Sequence, residues 1–173
     1  SDCLVGSEMC IRDRIYISKI TPLIFISGVH ISGEKMKRVV STEKTEKLIS
    51  ELVNDHGPLV FHQSGGCCDG SAPMCFPRSE FKVGSRDVFL GEIGQQPFFI
   101  AEDQYSYWEH TQLIIDVVKG RGGMFSVEGP TGNRFLTRSR VFTEDEYSEH
   151  KSNPPAKASD LSEIEGLKTT TGD

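Results

Sequence analysis

Residues 56–75 contain most of the side chains in this sequence that could bind a metal ion or act as a nucleophile. Two imidazoles and three thiols lie within these twenty residues: His56, His62, Cys67, Cys68 and Cys75. Thiolate and imidazole ligands suit soft or borderline metal ions. We therefore expect a metal site built from these five residues, which would hold iron, an iron–sulfur cluster or zinc.

The cysteine spacing differs from that of a zinc finger, whose paired cysteines lie about two to four residues apart. Cys67 and Cys68 are adjacent, and neighbours in an extended segment point to opposite faces, so one could bind metal while the other packs. Two other interpretations stay open. A thiol activated by a nearby His or by loop amides could attack a carbonyl, or the cysteines could be small buried residues without chemistry.

The elements predicted around this stretch define an α+β fold. Ser41 or Thr42 is suited to cap a helix that runs to about Asp55. Residues 58–64 alternate as a strand does, which puts Phe61 on one face and Val60 and His62 on the other. Residues 65–80 are expected to form a long loop. Further strands are expected at 87–93, 97–101 and 111–118, a short helix at 103–109, and a hairpin between 124–128 and 133–142. The predicted fold is an N-terminal amphipathic helix followed by a mainly antiparallel β-sheet or sandwich.

Length and composition exclude several classes of protein. The 173 residues suffice for one domain, and the formal net charge of -6 argues against nucleic acid as a partner. No apolar run is long enough to cross a membrane. The sequence has no phosphate-binding loop, dinucleotide fingerprint or nucleophile elbow.

The acidic charge is concentrated at the C-terminal end. Residues 36–142 carry twelve basic and thirteen acidic residues, whereas residues 143–173 carry three basic and eight acidic ones. The latter segment has few large apolar residues and a Pro-Pro pair. We therefore predict a single globular domain over residues 36–142, followed by a disordered acidic tail.

The N-terminal end does not resemble part of a folded domain. Residues 4–14 read LVGSEMCIRDR, which back-translates to a transposon sequencing adaptor, so residues 1–14 are interpreted as an artefact. Residues 15–35 imitate a signal peptide. They also back-translate to a purine-rich ribosome-binding site directly before Met36. We expect residues 15–35 to be translated upstream sequence and Met36 to be the natural start.

The chain resembles the bacterial domain-of-unknown-function family 779. The resemblance rests on HGPLVFHQSGGCCDGSAPMC, VGSRDVFLGEIGQQPFFI and QYSYWEHTQLIIDVVKGRGGMFSVEGPTGNRFLTRSRVF. It implies a small cytoplasmic bacterial protein whose gene lies beside aldehyde dehydrogenase genes, for which members are often labelled acetaldehyde dehydrogenase. An aldehyde dehydrogenase is accordingly the expected partner. This chain is too short to be that NAD-dependent enzyme itself.

A weaker resemblance is to the HesB-like A-type iron–sulfur carriers. The order of predicted elements and the Gly65-Gly66-Cys67 loop are similar to theirs. Those carriers use a further Cys-Gly-Cys near the C-terminus, whereas residues 76–173 of this chain contain no cysteine. Only Cys67 matches by position, so Cys68 and Cys75 would have to supply the missing thiolates.

These observations together predict a non-enzymatic, cytoplasmic metal- or iron–sulfur-binding accessory protein linked to aldehyde or alcohol oxidation. The alternatives are a small thiol-dependent enzyme acting on an aldehyde or thioester, and a non-catalytic partner of an aldehyde dehydrogenase. Neither nucleic acid nor a membrane is expected as a partner.

Overall fold

A computed structural model of the protein describes residues 36–63, 72–161, 164 and 167–170. The predictions made for residues 1–14 and 15–35, and the cysteines Cys67 and Cys68, lie outside the described residues. The helices in the described part are α1 (Glu43–His56), α2 (Glu102–Trp108) and α3 (Glu144–Ser152). The strands there are β1 (Val39–Ser41), β2 (Leu59–Gln63), β3 (Met74–Pro77), β4 (Lys82–Gly84), β5 (Val88–Ile93), β6 (Gln96–Ile100), β7 (Thr111–Lys119), β8 (Asn133–Val141) and β9 (Lys168–Thr170). The predicted α+β class is confirmed.

Helix α1 begins where its sequence predicts. Thr42 has an extended backbone and its hydroxyl accepts a hydrogen bond from the Thr45 amide. Leu48, Ile49 and Leu52 are buried on one face of the helix, and each contributes about 1.5–3 kcal/mol by leaving water. The helix ends at Gly57, whose positive φ of 76° lets its N–H bond back to the Val53 carbonyl.

The strands form two larger sheets and one short pair. One sheet has the order β1-β7-β8 and the other has the order β3-β2-β6-β5, while β4 pairs with β9. The parallel ladders, β1-β7, β2-β6 and β4-β9, are three residues long each. The antiparallel ladders are longer, and β7-β8 extends over nine residues. Antiparallel pairing therefore predominates, as predicted.

Two apolar clusters organise this part of the chain. The main core lies between α1 and both larger sheets and includes Leu48, Ile49, Phe61, Cys75, Phe98, Leu113, Ile115 and Phe135. The outer cluster covers the other face of the four-stranded sheet and includes Val60, Val83, Phe99 and Ala158. As predicted from the alternation of β2, Phe61 faces one cluster and Val60 faces the other.

The C-terminal segment differs from the expected disordered tail within residues 143–161. Helix α3 starts at Thr143, which forms a capping box with Glu146. Further along, Ala158 is buried in the outer cluster. The apolar residues that pack beside it are Leu161, Ile164 and Leu167. These four apolar residues recur at every third position, and together they cover the outer face of the four-stranded sheet. All described residues belong to one compact unit, residues 35–173.

Two local predictions were wrong. The predicted loop 65–80 contains strand β3, which pairs with β2. The predicted hairpin between 124–128 and 133–142 does not form, because β8 pairs with β7 instead. Residues 123–129 turn back on themselves through bonds from the Ser126 amide to the Gly123 carbonyl and from the Gly129 amide to the Ser126 carbonyl. None of the described helices is long and apolar enough to cross a membrane.

Candidate functional site

Cys67 and Cys68 belong to the residues that connect β2 to β3 along the chain, and both lie outside the described residues. In this antiparallel pair His62 lies opposite Met74, and Phe61 lies opposite Cys75. Opposite residues share a face of the sheet, and successive residues alternate between faces. Cys75 therefore points into the main core, while His62 points to the outer cluster. The adjoining ends of β2 and β3 consequently present a different group of polar side chains on each face of the sheet.

On the outer side, His62 is paired with Asp87. The imidazole Nε2 lies 2.9 Å from Asp87 Oδ2, and the two side chains are only 13% and 16% exposed. Asp87 Oδ2 also accepts the Gly84 amide at 2.8 Å. A Cβ at residue 84 would lie 3.0 Å from the same oxygen, so the close approach favours glycine there. The Phe81 ring packs beside the imidazole with centroids 5.3 Å apart.

This pairing decides which imidazole nitrogen can bind or accept a proton. A carboxylate on Nε2 keeps the proton on that nitrogen and leaves the lone pair on Nδ1. Within the part of the chain that the structure describes, Nδ1 of His62 makes no hydrogen bond. His62 is thus arranged as a metal-binding histidine commonly is, with one nitrogen held by a carboxylate.

On the core side, Cys75 forms a buried cluster with Ser126 and Glu128. The Cys75 amide donates to Ser126 Oγ at 2.8 Å, and the Ser126 hydroxyl donates to Glu128 Oε2 in a short hydrogen bond. Burial raises the pKa of the Cys75 thiol well above its ordinary range, and the nearby Glu128 raises it further. Burial likewise raises the pKa of the Glu128 carboxyl, which the Ser126 hydrogen bond partly offsets. Both groups are therefore biased toward their neutral forms.

The segment between β7 and β8 places Glu128 in this cluster. The Val127 amide donates to the Cys75 carbonyl at 3.0 Å, which fixes the segment against β3. A Cβ at residue 122 would lie 2.7 Å from Glu128 Oε1, so a larger residue there would displace the carboxyl from its present position. Gly132, with a φ of 72°, then returns the chain to β8. The Gly-rich sequence is thus needed for close packing around a buried acid.

Of the five predicted metal ligands the structure describes His56, His62 and Cys75, and it does not bring these three together. His62 and Cys75 lie on opposite faces of the β2-β3 pair. His56 is exposed at the end of α1, which precedes β2. Cys67 and Cys68 follow β2 along the chain. The five residues of β2 lie between these positions, and the two ends of that strand are about 16 Å apart at ~3.3 Å per residue. The described residues contain no group of three or more His, Cys, Asp or Glu side chains that could hold a metal ion.

Sequence reasoning missed three residues of this region. Asp87 is separated from His62 by two strands of chain, and Ser126 and Glu128 lie 51 and 53 positions beyond Cys75 in the printed sequence. The glycines flanking Glu128 were a usable signal, since an acidic residue in a Gly-rich segment without charged neighbours is suited to a close-packed site. Nothing local to Asp87 indicated its partner.

The fold and the site define a class: a small α+β domain in which the described residues form two larger sheets, one buried thiol–carboxyl cluster and one carboxylate–histidine pair. The chain belongs to the family Domain of unknown function (DUF779), whose family model matches residues 48–141. The match includes both groups of polar side chains. No curated protein and no solved structure matches the chain.

Proposed function

We propose that this protein binds a soft or borderline metal centre at the outer side of the β2-β3 loop and serves as an accessory protein in aldehyde or alcohol oxidation. The observation that carries the proposal is the His62–Asp87 pair, with Nε2 and Oδ2 2.9 Å apart. In this proposal Nδ1 of His62 is a ligand. Cys67 and Cys68, which follow His62 by five and six positions, supply thiolates.

The donor set supports iron, an iron–sulfur cluster or zinc over harder cations. Imidazole and thiolate are the ligands that these centres use, whereas magnesium and calcium prefer oxygen. Asp87 would orient the imidazole from outside the ligand set. Cys75 and His56, which the sequence also suggested as ligands, are left out of this set. One faces the main core and the other lies at the far end of β2.

The accessory role rests on resemblance. The resemblance to this family implies a gene that often neighbours aldehyde dehydrogenase genes, and the HesB-like carriers provide a precedent for a small metal-carrying domain. A dehydrogenase would then be the physiological partner. A cytoplasmic location is part of the same proposal.

Anaerobic purification of the full chain followed by elemental analysis and absorbance spectroscopy tests the metal site. We expect bound iron or zinc, with visible absorbance if the centre is an iron–sulfur cluster. His62→Ala and the double variant Cys67→Ser/Cys68→Ser should lose the metal. His56→Ala is the matched control and should retain it. Metal-free wild-type protein, or metal retained by His62→Ala, would contradict the proposal.

A thiol enzyme is the second candidate, and the same pair favours it. Nδ1 of His62 could accept the proton of a loop thiol, which would then attack an aldehyde or thioester carbonyl. Alkylation rates at neutral pH separate the candidates. One fast-reacting cysteine in chelator-treated protein, slowed by His62→Ala, favours the enzyme, and uniformly slow thiols refute it. A pull-down with the dehydrogenase tests the remaining alternative, a partner without chemistry.

A further inference from the structure

Strand β7 is longer than β1, the strand that pairs with one of its two edges. On one side β8 pairs with all nine residues of β7. On the other side β1 pairs only with residues 113–115. The chain then leaves the sheet at Thr42 to begin α1. Residues 117–119 of β7 therefore have no strand beside them at this edge among the described residues.

Backbone hydrogen bonds on the two sides of β7 show which of its groups face that edge. The Leu113 amide donates to the Arg38 carbonyl at 2.9 Å, and the Thr42 amide donates to the Ile115 carbonyl at 3.0 Å. Odd-numbered residues of β7 thus direct their backbone groups toward β1. The Gly120 amide donates to the Gly132 carbonyl at 3.1 Å on the other side, so even-numbered positions face β8.

By the same alternation, Val117 and Lys119 direct their backbone groups toward the uncovered edge. The Val117 amide is already bonded to Asp116 Oδ1 at 2.8 Å. Among the residues that the structure describes, the Val117 carbonyl and the Lys119 amide have no hydrogen-bond partner, so one acceptor and one donor lie on the same side of the strand. Such a pair is what an added strand would bond to.

A groove of about 550 Å³ lies between this edge and α1. Apolar contact is offered by Leu48 of α1 and by Val117 and Val118 of β7. The charged residues that line it are Lys44, Lys47, Glu51 and Lys119. Three positive charges against one negative charge favour an acidic occupant.

We propose that this groove binds an extended acidic segment of a partner protein, which adds to β7 as a strand in the line that β1 leaves. The backbone groups of Val117 and Lys119 supply the strand pairing. Lys44, Lys47 and Lys119 select acidic side chains that alternate along the segment. The site is separate from the proposed metal centre, so either proposal can fail without the other.

Two fluorescein-labelled octapeptides test the proposal on the full chain by anisotropy at low salt: one alternates Thr and Glu, and the other alternates Thr and Lys. We expect binding of the acidic peptide only. Lys44→Glu/Lys47→Glu should abolish it. Lys119→Pro removes the edge amide without touching the β8 ladder, and Lys119→Thr removes only the charge. The proline variant should bind about fivefold more weakly than the threonine variant, as expected for one hydrogen bond.

Hydrogen exchange of the wild-type chain gives a second readout that needs no variant. The acidic peptide should slow exchange of the Lys119 amide, while the Val118 amide, already bonded to β8, stays unchanged. Equal binding of both peptides would overturn the proposal. Unchanged Lys119 exchange, with proline and threonine variants binding alike, would also overturn it, since attraction to lysines alone would then account for binding.

Discussion

His62 and Asp87 are 25 residues apart in sequence, yet imidazole Nε2 lies 2.9 Å from carboxylate Oδ2 on a mostly buried face of the sheet. The carboxylate is itself held by the Gly84 amide. A histidine fixed in this way presents Nδ1 in one orientation. This relationship makes the His62–Asp87 pair a stronger candidate site than the cluster of Cys75, Ser126 and Glu128.

Asp87→Asn should weaken metal binding without removing a ligand. We expect an affinity about 10–100-fold lower, since loss of an outer carboxylate commonly has an effect of that size. Competition with a metallochromic chelator measures it. Asp116→Asn is the matched control, because Asp116 is also a partly buried, ion-paired carboxylate but belongs to the other sheet. Equal losses in both variants would count against a specific role for Asp87.

Cys75 should be chemically inert in the folded protein. Its thiol is fully buried and its pKa is raised by burial and by Glu128, so little reactive thiolate forms at neutral pH. Peptide mapping after iodoacetamide treatment should find Cys75 unmodified in native protein and modified after denaturation. Cys75→Ala should leave the native alkylation pattern unchanged. Rapid native labelling of Cys75 would show that the core side opens to solvent.

Glu128 should make the stability of the protein fall as pH rises. Burial raises the pKa of its carboxyl above the ordinary value of 4.5. The folded protein therefore holds this proton more tightly than the unfolded chain does. The resulting stability is full below pH 4.5 and is lost as pH rises through the raised pKa.

Glu128→Gln stays neutral and should lack this dependence. The difference between its free energy of unfolding and that of wild type should grow in favour of the variant from pH 5 to pH 8. The growth should be about 1.4 kcal/mol for each unit by which the pKa of Glu128 is raised. Urea unfolding at several pH values measures the difference. Glu51→Gln is the control at an exposed position on α1, and its free energy of unfolding should change with pH as that of wild type does. Parallel curves for Glu128→Gln would mean that the carboxyl is not buried in solution.

Helix α3 should detach in acid before the sheets unfold. Hydrogen bonds from Arg140 and from the Thr143 amide lower the pKa of Glu146 to about 2. Because this pKa is depressed, the contact is fully present above pH 4.5 and is lost as pH falls toward 2. Tryptic cleavage after Lys151 should accelerate in Glu146→Gln at neutral pH. Glu149→Gln, exposed on the same helix, should cleave as wild type does.

Local patterns predicted those elements whose signals are local. Thr42, the apolar face of α1 and Gly57 define one helix completely, and the alternation of β2 correctly assigned Phe61 and Val60 to opposite faces. The failures have a common cause. Strand β3 and the pairing of β8 with β7 depend on partners distant in sequence. Composition alone likewise missed the packing of Ala158 and Leu161 on a sheet face that the tail itself covers.

The sequence by itself determined that a cluster of cysteines and histidines lies in one stretch, that the fold is α+β, and which family the chain belongs to. Only the tertiary structure decided that His62 and Cys75, the members of that stretch described in β2 and β3, face different sides of the sheet. His62 lies opposite Met74, the neighbour of Cys75, and neighbouring positions on a strand point to opposite sides, so strand pairing places His62 and Cys75 on different faces. Their real partners, Asp87 and Glu128, come from other strands and loops, because side-chain neighbours across a sheet are set by strand pairing and not by spacing along the chain.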